Sequence, residues 1–311
     1  MEIGVMVAGS GLSGVVDGIR QAAEAGFRRA WVPQVLGVEA LTAIAVAGRE
    51  VPGIELGTAV VPTYPRHPLV LAGQALTTSA ALGGGERLHL GIGLSHQVVI
   101  EGMFGMDFEK PAVHMREYLS ALRPALAGEP VDVKGETVRA ATLMGPVKVD
   151  DAGFVPVLVA ALGPALLRVA GELADGTLTW MAAPNVVGDR IAPSIVSAAQ
   201  TAGRPRPRVG VGLPVAVTDD VDAALQRAAA SYAIYDTLPS YKRLLDEAGV
   251  DGPAGVVIAG SEAEVIERIR ALADVGATEF LASPFGSRAV REETMRVLGE
   301  LARETSAAAD G

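Results

Sequence analysis

The sequence predicts an α/β fold of the (β/α)8 TIM-barrel class, with insertions over the C-terminal mouth of the barrel. Three observations lead to this prediction. Eight short apolar runs begin near residues 3, 30, 54, 88, 155, 176, 208 and 278. A segment of helical length follows each run, and polar or proline-rich residues lie at the junctions. Strands and helices alternating in this number close into a barrel more naturally than they stack as an open sheet.

The length and composition agree with one large domain. The chain has 311 residues, of which 50% are hydrophobic and 20% are charged, so a sizeable core is available. We interpret residues 1–311 as a single barrel domain. The alternation of strands and helices pauses at about residues 94–111 and 128–154, and we expect both insertions to cover the mouth.

The first half of the chain is organised around residues 54–96. Residues 54–61 are apolar on both faces, which is typical of a parallel strand buried on both sides. Pro62, Pro65 and Pro68 then force the backbone out of the sheet. The predicted strands of this half are 3–8, 30–34, 54–61 and 88–93, and the predicted helices are 12–25, 38–49, 67–82 and 112–127.

The second half begins with a predicted hairpin that turns at Lys134-Gly135, where the alternation fails. Alternation then returns, and Ser261 with Glu264 forms a capping box at one helix start. The predicted strands are 155–162, 176–181, 208–217 and a last one from 278, and the predicted helices are 164–174, 186–202, 221–235, 238–248, one after residue 261, and 288–305.

Several functions are excluded by composition. The net charge is -10 and we find no cluster of Lys and Arg, so affinity for nucleic acid is not expected. The N-terminus begins as a strand, and no apolar run approaches the ~20 residues of a membrane span, so we expect no membrane partner and a cytoplasmic location. The absence of cysteine excludes disulfides and thiol nucleophiles, and the four histidines do not form a metal-binding pair.

Polar and aromatic residues follow several predicted strands directly. Any one of them alone is more often ordinary loop chemistry than a functional group. In a parallel barrel, however, all strand ends face the same mouth, and their joint placement indicates a binding site. The residues are Gln34, Thr63, Tyr64, Ser95, His96, Gly163, Pro164, Thr179 and Trp180.

Two blocks of sequence carry a resemblance to a known family. The first is GTAVVPTYPRHP (57–68), followed by a helix and RLHLGIGLSH (87–96), and the second is AALGPALLRVAGELADGTLTWM (160–181). Together they resemble the luciferase-like family of (β/α)8 flavin and deazaflavin oxidoreductases, and in particular its branch that uses coenzyme F420. The resemblance implies coenzyme F420 as cofactor, with FMN as the alternative.

The resemblance also implies where the cofactor lies. In deazaflavin members a non-prolyl cis peptide bond bulges against the ring, and here the matching bond is Ala59-Val60. Phosphate contacts are implied at Gly163 and at the helix that begins at Pro164, whose free N–H groups suit an anion. The implied cofactor-binding residues are Gln34, Ala59, Val60, Val61, Ser95, His96, Ala161, Gly163, Pro164, Thr179 and Trp180.

The direction of the reaction follows from a departure from the family pattern. Sugar-phosphate dehydrogenases of this family carry an acidic-His pair after strand two and a Glu after strand four, where this chain has Pro33-Gln34 and His96. Without that base, a reductase is favoured over an alcohol dehydrogenase. We therefore expect hydride transfer from the reduced deazaflavin to an activated C=C or C=N bond of a small organic substrate, with water, His96 or Tyr64 as proton source.

Two other functions stay open, and so do the partners. An FMN-dependent monooxygenase of the same fold is one alternative, and a non-catalytic barrel that only binds the cofactor is another. The segment MFGMDF (103–108) is expected to line an apolar substrate pocket, to join the core or to form a dimer contact. Relatives in this family are commonly dimers, so a homodimer is expected.

Overall fold

The eight predicted strands are parallel and close on one another into a barrel. The computed structural model describes residues 1–34 and 36–310 of the chain. The strands are β1 (Glu2–Met6), β2 (Arg29–Val32), β3 (Glu55–Thr58), β4 (Val61–Pro62), β5 (Leu88–Gly93), β6 (Asp132–Lys134), β7 (Arg139–Ala141), β8 (Val157–Ala160), β9 (Gly176–Trp180), β10 (Arg208–Val217), β11 (Ile258–Gly260) and β12 (Glu279–Pro284). Around the barrel the order is β1, β2, β3, β5, β8, β9, β10 and β12, and β12 pairs with β1 to complete the ring.

Helices connect the strands and form the outer layer. They are α1 (Leu12–Ala25), α2 (Ala40–Glu50), α3 (Pro68–Ala81), α4 (Gln97–Gly102), α5 (Pro111–Leu126), α6 (Pro164–Leu173), α7 (Pro184–Val186), α8 (Ala192–Thr201), α9 (Val221–Ser231), α10 (Ile234–Thr237), α11 (Pro239–Ala248), α12 (Glu262–Asp274) and α13 (Arg288–Asp310). A π-helical turn, Val187–Ile191, joins α7 to α8. None of these helices is long and apolar enough to cross a membrane, within the part of the chain that the structure describes.

Local sequence explains where the helices begin. Proline occupies the first turn of α3, α5 and α6, where its missing N–H is not needed and its fixed φ suits the helix. At α12 the Glu264 carboxylate accepts hydrogen bonds from the Ser261 backbone nitrogen (2.8 Å) and hydroxyl (2.7 Å). The predicted capping box is therefore confirmed.

The inside of the barrel consists of layers. Charged residues at the N-terminal ends of the strands form the lowest layer. Above them Trp31, Leu158, Leu178 and Leu281 form a separate apolar cluster, and all four side chains are buried. Met6, Ala59 and Val60 pack on top of that cluster and are only partly buried. The barrel is thus closed below and opens towards the C-terminal ends of the strands.

The insertion at 128–154 packs on the outside of the helical layer, and its extension over the mouth stays a prediction. It forms the hairpin β6–β7, whose turn is held by the Glu117 carboxylate of α5 through the backbone N–H groups of residues 136–138 (2.7–2.9 Å). The segment then reaches the far end of α3, where the Gly153 nitrogen donates to the Ser79 hydroxyl (3.1 Å). The insertion lies along the helical layer because the buried side chains of its hairpin pack against α5.

Candidate active site

The C-terminal ends of the strands meet at one mouth, as the barrel geometry requires. Two of the strand ends turn through left-handed backbone conformations that non-glycine residues rarely adopt. Ser95, after β5, has φ 61°, and Met181, after β9, has φ 59°. Backbone strain of this kind is typical of functional sites, because the surrounding structure must hold it in place.

The floor of the mouth is an apolar surface formed by Ala59 and Val60 between β3 and β4. The Ala59-Val60 peptide bond is cis, as the family resemblance implies. Val60 lies directly against two glycines of β5, and neither position has room for a side chain. A Cβ atom at Gly93 would lie 2.7 Å from Val60 Cγ2, and one at Gly91 would lie 2.0 Å from the Thr58 carbonyl oxygen. The glycines of LHLGIG therefore allow this surface to sit inside the barrel.

The wall beside this surface carries the start of α6. Gly163 is its N-cap, Pro164 is its first residue, and no side chain caps the helix. A side chain at Gly163 would meet no atom within 4 Å, so the helix terminus faces open space. The free N–H groups of a first helical turn and the helix dipole both attract anions. This wall can therefore hold a phosphate group.

His96 lies at the rim as the N-cap of α4 and makes no capping hydrogen bond with its side chain. Its ring centroid is 5.8 Å from that of Tyr241. Burial lowers the pKa of His96 below its ordinary value of 6.5, because the charged imidazolium loses water. Burial therefore favours the neutral imidazole of His96 over the charged imidazolium.

Tyr64 is held in a stack of rings. Its ring centroid is 4.0 Å from that of His114, at an interplanar angle of 4°, and 5.2 Å from that of Phe108. Its hydroxyl donates to the Glu109 carbonyl (3.2 Å), and burial raises its pKa to about 12. This environment favours a structural role, in which Tyr64 ties the segment before α5 to the end of β4.

Other predicted site residues have their polar groups engaged elsewhere. The Gln34 side-chain oxygen accepts from the Ala40 nitrogen (3.1 Å) and so helps to start α2. The Thr179 hydroxyl is buried and donates to the Gly210 carbonyl of β10 (3.2 Å). Val61 and Ala161 are fully buried. A contact between these four residues and a cofactor stays a prediction.

The segment 103–108 divides into two parts. Met103, Phe104 and Met106 are 56%, 40% and 39% exposed, so they do not form a core patch. Phe108 instead packs in the stack beside Tyr64. Val98, which precedes these three residues in the chain and lies on α4, is exposed as well, at 65%.

Sequence reasoning missed the residues that cover the mouth. The segment 232–241 between β10 and β11 carries Tyr232, Tyr235 and Tyr241, which we call the tyrosine lid. Tyr241 faces His96 after β5, Tyr235 lies 6.3 Å from the ring of Trp180 on β9, and Tyr232 lies 6.1 Å from Phe285 after β12.

The lid therefore reaches across non-adjacent strands of the barrel. It is fixed at the end of α11, where the Glu247 carboxylate accepts two hydrogen bonds from Arg190 (both 2.7 Å). A compositional signal for the lid was available, since three of the five tyrosines of the chain fall within residues 232–241.

The fold and the mouth define a (β/α)8-barrel protein with an apolar floor, an anion-compatible helix terminus and an aromatic lid. The model of the luciferase-like monooxygenase family matches residues 2–279, and the chain belongs to that family. A 5,10-methylenetetrahydromethanopterin reductase of Methanolobus tindarius is 27% identical over 309 residues, which cover 90% of this chain and 92% of the relative.

Solved structures share the fold at lower identity. The coenzyme F420 dependent tetrahydromethanopterin reductase from Methanopyrus kandleri has a TM-score of 0.77 at 21% identity, with 96% of this chain and 97% of that chain covered. The oxygenating constituent of 3,6-diketocamphane monooxygenase from Pseudomonas putida, solved with FMN, has a TM-score of 0.76 at 18% identity, with 98% and 97% covered.

Proposed function

We propose that this protein is a coenzyme F420-dependent oxidoreductase that transfers hydride from the reduced deazaflavin to an activated C=C or C=N bond of a small organic substrate. The observation that carries the proposal is the apolar surface of Ala59 and Val60, which faces the mouth of the same barrel as the free α6 terminus. A flat ring with a phosphate-bearing tail needs both features. The full-length similarity to a relative named as a reductase supports it.

The residues of the mouth fit such a cofactor. Val60 and Ala59 would contact one face of the ring, since they are partly buried and pack against the apolar cluster below. The α6 terminus at Gly163 would hold the phosphate group, because its N–H donors have no side-chain cap. Trp180, which is partly exposed at the end of β9, would contact the ring edge.

The bound cofactor supplies a hydride, and the protein supplies orientation and a proton. His96 is the candidate for proton transfer because it lies at the rim and has no hydrogen-bonding partner as a helix cap. Its lowered pKa makes it mainly a proton acceptor at pH 7 and a donor in more acidic solution. Reduction that uses His96 as donor is therefore expected to become faster as the pH falls towards the lowered pKa of His96.

The direction of the reaction is proposed as reduction. The position after β2 that would carry a base holds Gln34, whose amide oxygen already accepts from Ala40. A primary amide has no useful basicity near neutral pH, so no side chain at that position can remove an alcohol proton. A bound hydride donor and a proton source are enough for reduction of an activated double bond.

Two titrations test the proposal. Purified protein is titrated with oxidised coenzyme F420 and, separately, with FMN, and the visible absorbance of each cofactor is recorded. Reduced cofactor is then mixed with an enone and with an imine in the absence of oxygen, and afterwards in its presence with an oxygen electrode. The proposal expects coenzyme F420 to bind and to be consumed with one of the substrates, without uptake of oxygen.

A second function has one observation in its favour. The FMN-containing monooxygenase from Pseudomonas putida shares the fold over nearly the whole chain. Binding of FMN with uptake of oxygen would replace the proposal by this alternative. Tight binding of either cofactor without turnover, unchanged in a His96→Ala variant, would favour a barrel that only carries the cofactor.

We further propose a homodimer located in the cytoplasm. Exposed apolar area is a common property of interfaces. Here it lies on and after α4 and is supplied by Val98, Met103, Phe104 and Met106. Light scattering after size-exclusion chromatography measures the mass directly. A Met103→Ser/Phe104→Ser variant is expected to shift the protein towards the monomer, and a wild-type monomer would contradict the proposal.

A further inference from the structure

A second cavity lies at the opposite end of the barrel from the mouth. Its volume is about 560 Å³, and five guanidinium groups line it: Arg29, Arg123, Arg204, Arg206 and Arg208. A space of this size is in the range of small-molecule sites. Five arginines around one cavity are unexpected in a chain whose net charge is -10.

The local sequence explains how three of these arginines converge. Residues 204–208 read Arg-Pro-Arg-Pro-Arg and lead from α8 into β10. Proline fixes extended backbone on both sides of Arg206, and alternate residues of an extended chain project to the same side. All three arginines line the cavity. Our expectation that the sequence has no cluster of basic residues was therefore wrong, because the prolines separate the charges.

The inner part of the cavity is electrostatically satisfied. Arg29 binds the carboxylates of Glu279 (2.9 Å) and Glu55 (2.9 Å), and Arg208 binds Glu279 as well. His89 donates to Glu55 (2.8 Å) and accepts from Arg208 (2.9 Å). Each carboxylate here has a cationic partner, so this inner group needs no ligand.

In the outer part of the cavity, positively charged side chains outnumber negatively charged ones. Arg123 and Arg204 share one oxygen of a single carboxylate, Asp175, at 3.0 Å each, and the other oxygen accepts from the Val157 nitrogen (2.8 Å). Arg206 is exposed, and no hydrogen bond or ion pair joins its side chain to another residue in the described part of the chain.

The remaining carboxylate of the outer part does not restore the balance. Glu86 also lines the cavity, but it is exposed and forms no ion pair with any residue that the structure describes. Burial and the neighbouring charge of Arg123 lower the pKa of Arg204, as expected where cations lie close together. Arg204 also donates to the Ala174 carbonyl (3.0 Å). Beyond this bond and those to Asp175, no hydrogen bond of these three guanidinium groups is found in the described part of the chain, so most of their N–H groups have no anionic partner.

We propose that this cavity binds a phosphate group, either as inorganic phosphate or as a phosphate monoester. Planar guanidinium groups match the oxygens of phosphate and donate more than one hydrogen bond to it. The three outer guanidinium groups exceed the two outer carboxylates, Asp175 and Glu86, by one positive charge, which attracts an anion to this part of the cavity. Phe154, which is 58% exposed, lines the same cavity and offers an aromatic surface to the organic part of an ester.

The test is calorimetric titration of the apoprotein with inorganic phosphate and with phenyl phosphate at constant ionic strength. Saturable binding with a Kd of about 1 mM or tighter is expected, and the arginine variants separate the part that belongs to this cavity from any binding at the α6 terminus. Arg206→Ala is expected to weaken phosphate binding about three- to tenfold, because one exposed charge-assisted interaction is lost. Arg204→Gln/Arg206→Ala is expected to weaken it at least about thirtyfold.

The matched control is Arg227→Ala, which removes an exposed arginine of α9 that does not line the cavity. Its phosphate affinity is expected to equal that of the wild type. Thermal melts check that each variant is folded, since Arg204 also holds Asp175. Absence of saturable binding up to about 20 mM of either ligand, or equal weakening in Arg206→Ala and Arg227→Ala, would overturn the proposal and leave the arginines with a structural role only. These measurements need neither cofactor nor activity.

Discussion

The contact between Val60 and Gly93 gives the sharpest test of the structure at the mouth. In a Gly93→Ala variant the new Cβ would lie 2.7 Å from Val60 Cγ2 and 3.2 Å from Ala160 Cβ. Carbon atoms in van der Waals contact lie about 3.5–4.0 Å apart, so Val60 must move by about 1 Å. Overpacking of this size costs about 1–3 kcal/mol, and we expect the lower end because Val60 is only partly buried.

A double-mutant cycle isolates this contact. Val60→Ala alone is expected to cost about 1 kcal/mol, because it removes two partly buried methyl groups. In Gly93→Ala/Val60→Ala the new methyl group enters the vacated space, so the double variant should be about 1–2 kcal/mol more stable than the sum of the single effects predicts. Urea unfolding with an unchanged m value measures all three free energies of unfolding.

In the same variants, the affinity for coenzyme F420 is expected to change in a different pattern from the stability. The single variant Gly93→Ala displaces the floor of the mouth, and the double variant removes Val60 from that floor. Both are therefore expected to bind coenzyme F420 about tenfold more weakly than the wild type, even though the double variant regains stability. Gly73→Ala is the matched control, because a Cβ there meets no atom within 4 Å and lies inside helix α3. If the effects of Gly93→Ala and Val60→Ala on the free energy of unfolding add within about 0.5 kcal/mol in the double variant, the proposed contact is refuted.

Gly91, His89 and Tyr241 give three further predictions. Gly91→Ala places a Cβ 2.0 Å from the Thr58 carbonyl oxygen, which belongs to the backbone and cannot move aside, so a loss of more than about 3 kcal/mol is expected in urea unfolding. Burial lowers the pKa of His89 to about 4 in the folded state, so the stability that neutral His89 contributes is fully present above the unfolded pKa of about 6.5 and is lost as the pH falls towards 4. The free energy of unfolding should therefore fall by about 2 kcal/mol from pH 8 to pH 5 because of His89. A His89→Asn variant should show a correspondingly weaker pH dependence of the free energy of unfolding. Tyr241→Ala removes the ring that covers His96, so the pKa of His96 measured by NMR titration should rise towards its ordinary value, whereas an unchanged pKa would show that the lid does not bury it.

The positions of the barrel strands were accessible to sequence reasoning. Predicted starts near 3, 30, 54, 88, 155, 176, 208 and 278 lie within two residues of the observed starts at 2, 29, 55, 88, 157, 176, 208 and 279. Strands buried on both faces read as continuous apolar runs, and glycine and proline end them. These signals are local in the chain, and the fold repeats them eight times.

The sequence did not predict which residues cover the mouth of the barrel. The tyrosine lid contacts His96, Trp180 and Phe285, which are distant in sequence and lie on three different strand ends. The predicted cover, residues 128–154, has a hairpin pattern but carries no signal for the surface on which it packs. Pairing between distant segments depends on the geometry of the whole barrel, and a single sequence does not contain it.

By itself, the sequence determined the class of fold, the buried strand within residues 54–61, and the glycines of LHLGIG, because each depends on residue type and short spacing. Only the tertiary structure decided that the side chains of Gln34 and Tyr64 form hydrogen bonds within the protein, that burial lowers the pKa of His96, and that five arginines surround one cavity. Burial and charge balance set those properties, and both arise from residues that meet only when the barrel closes.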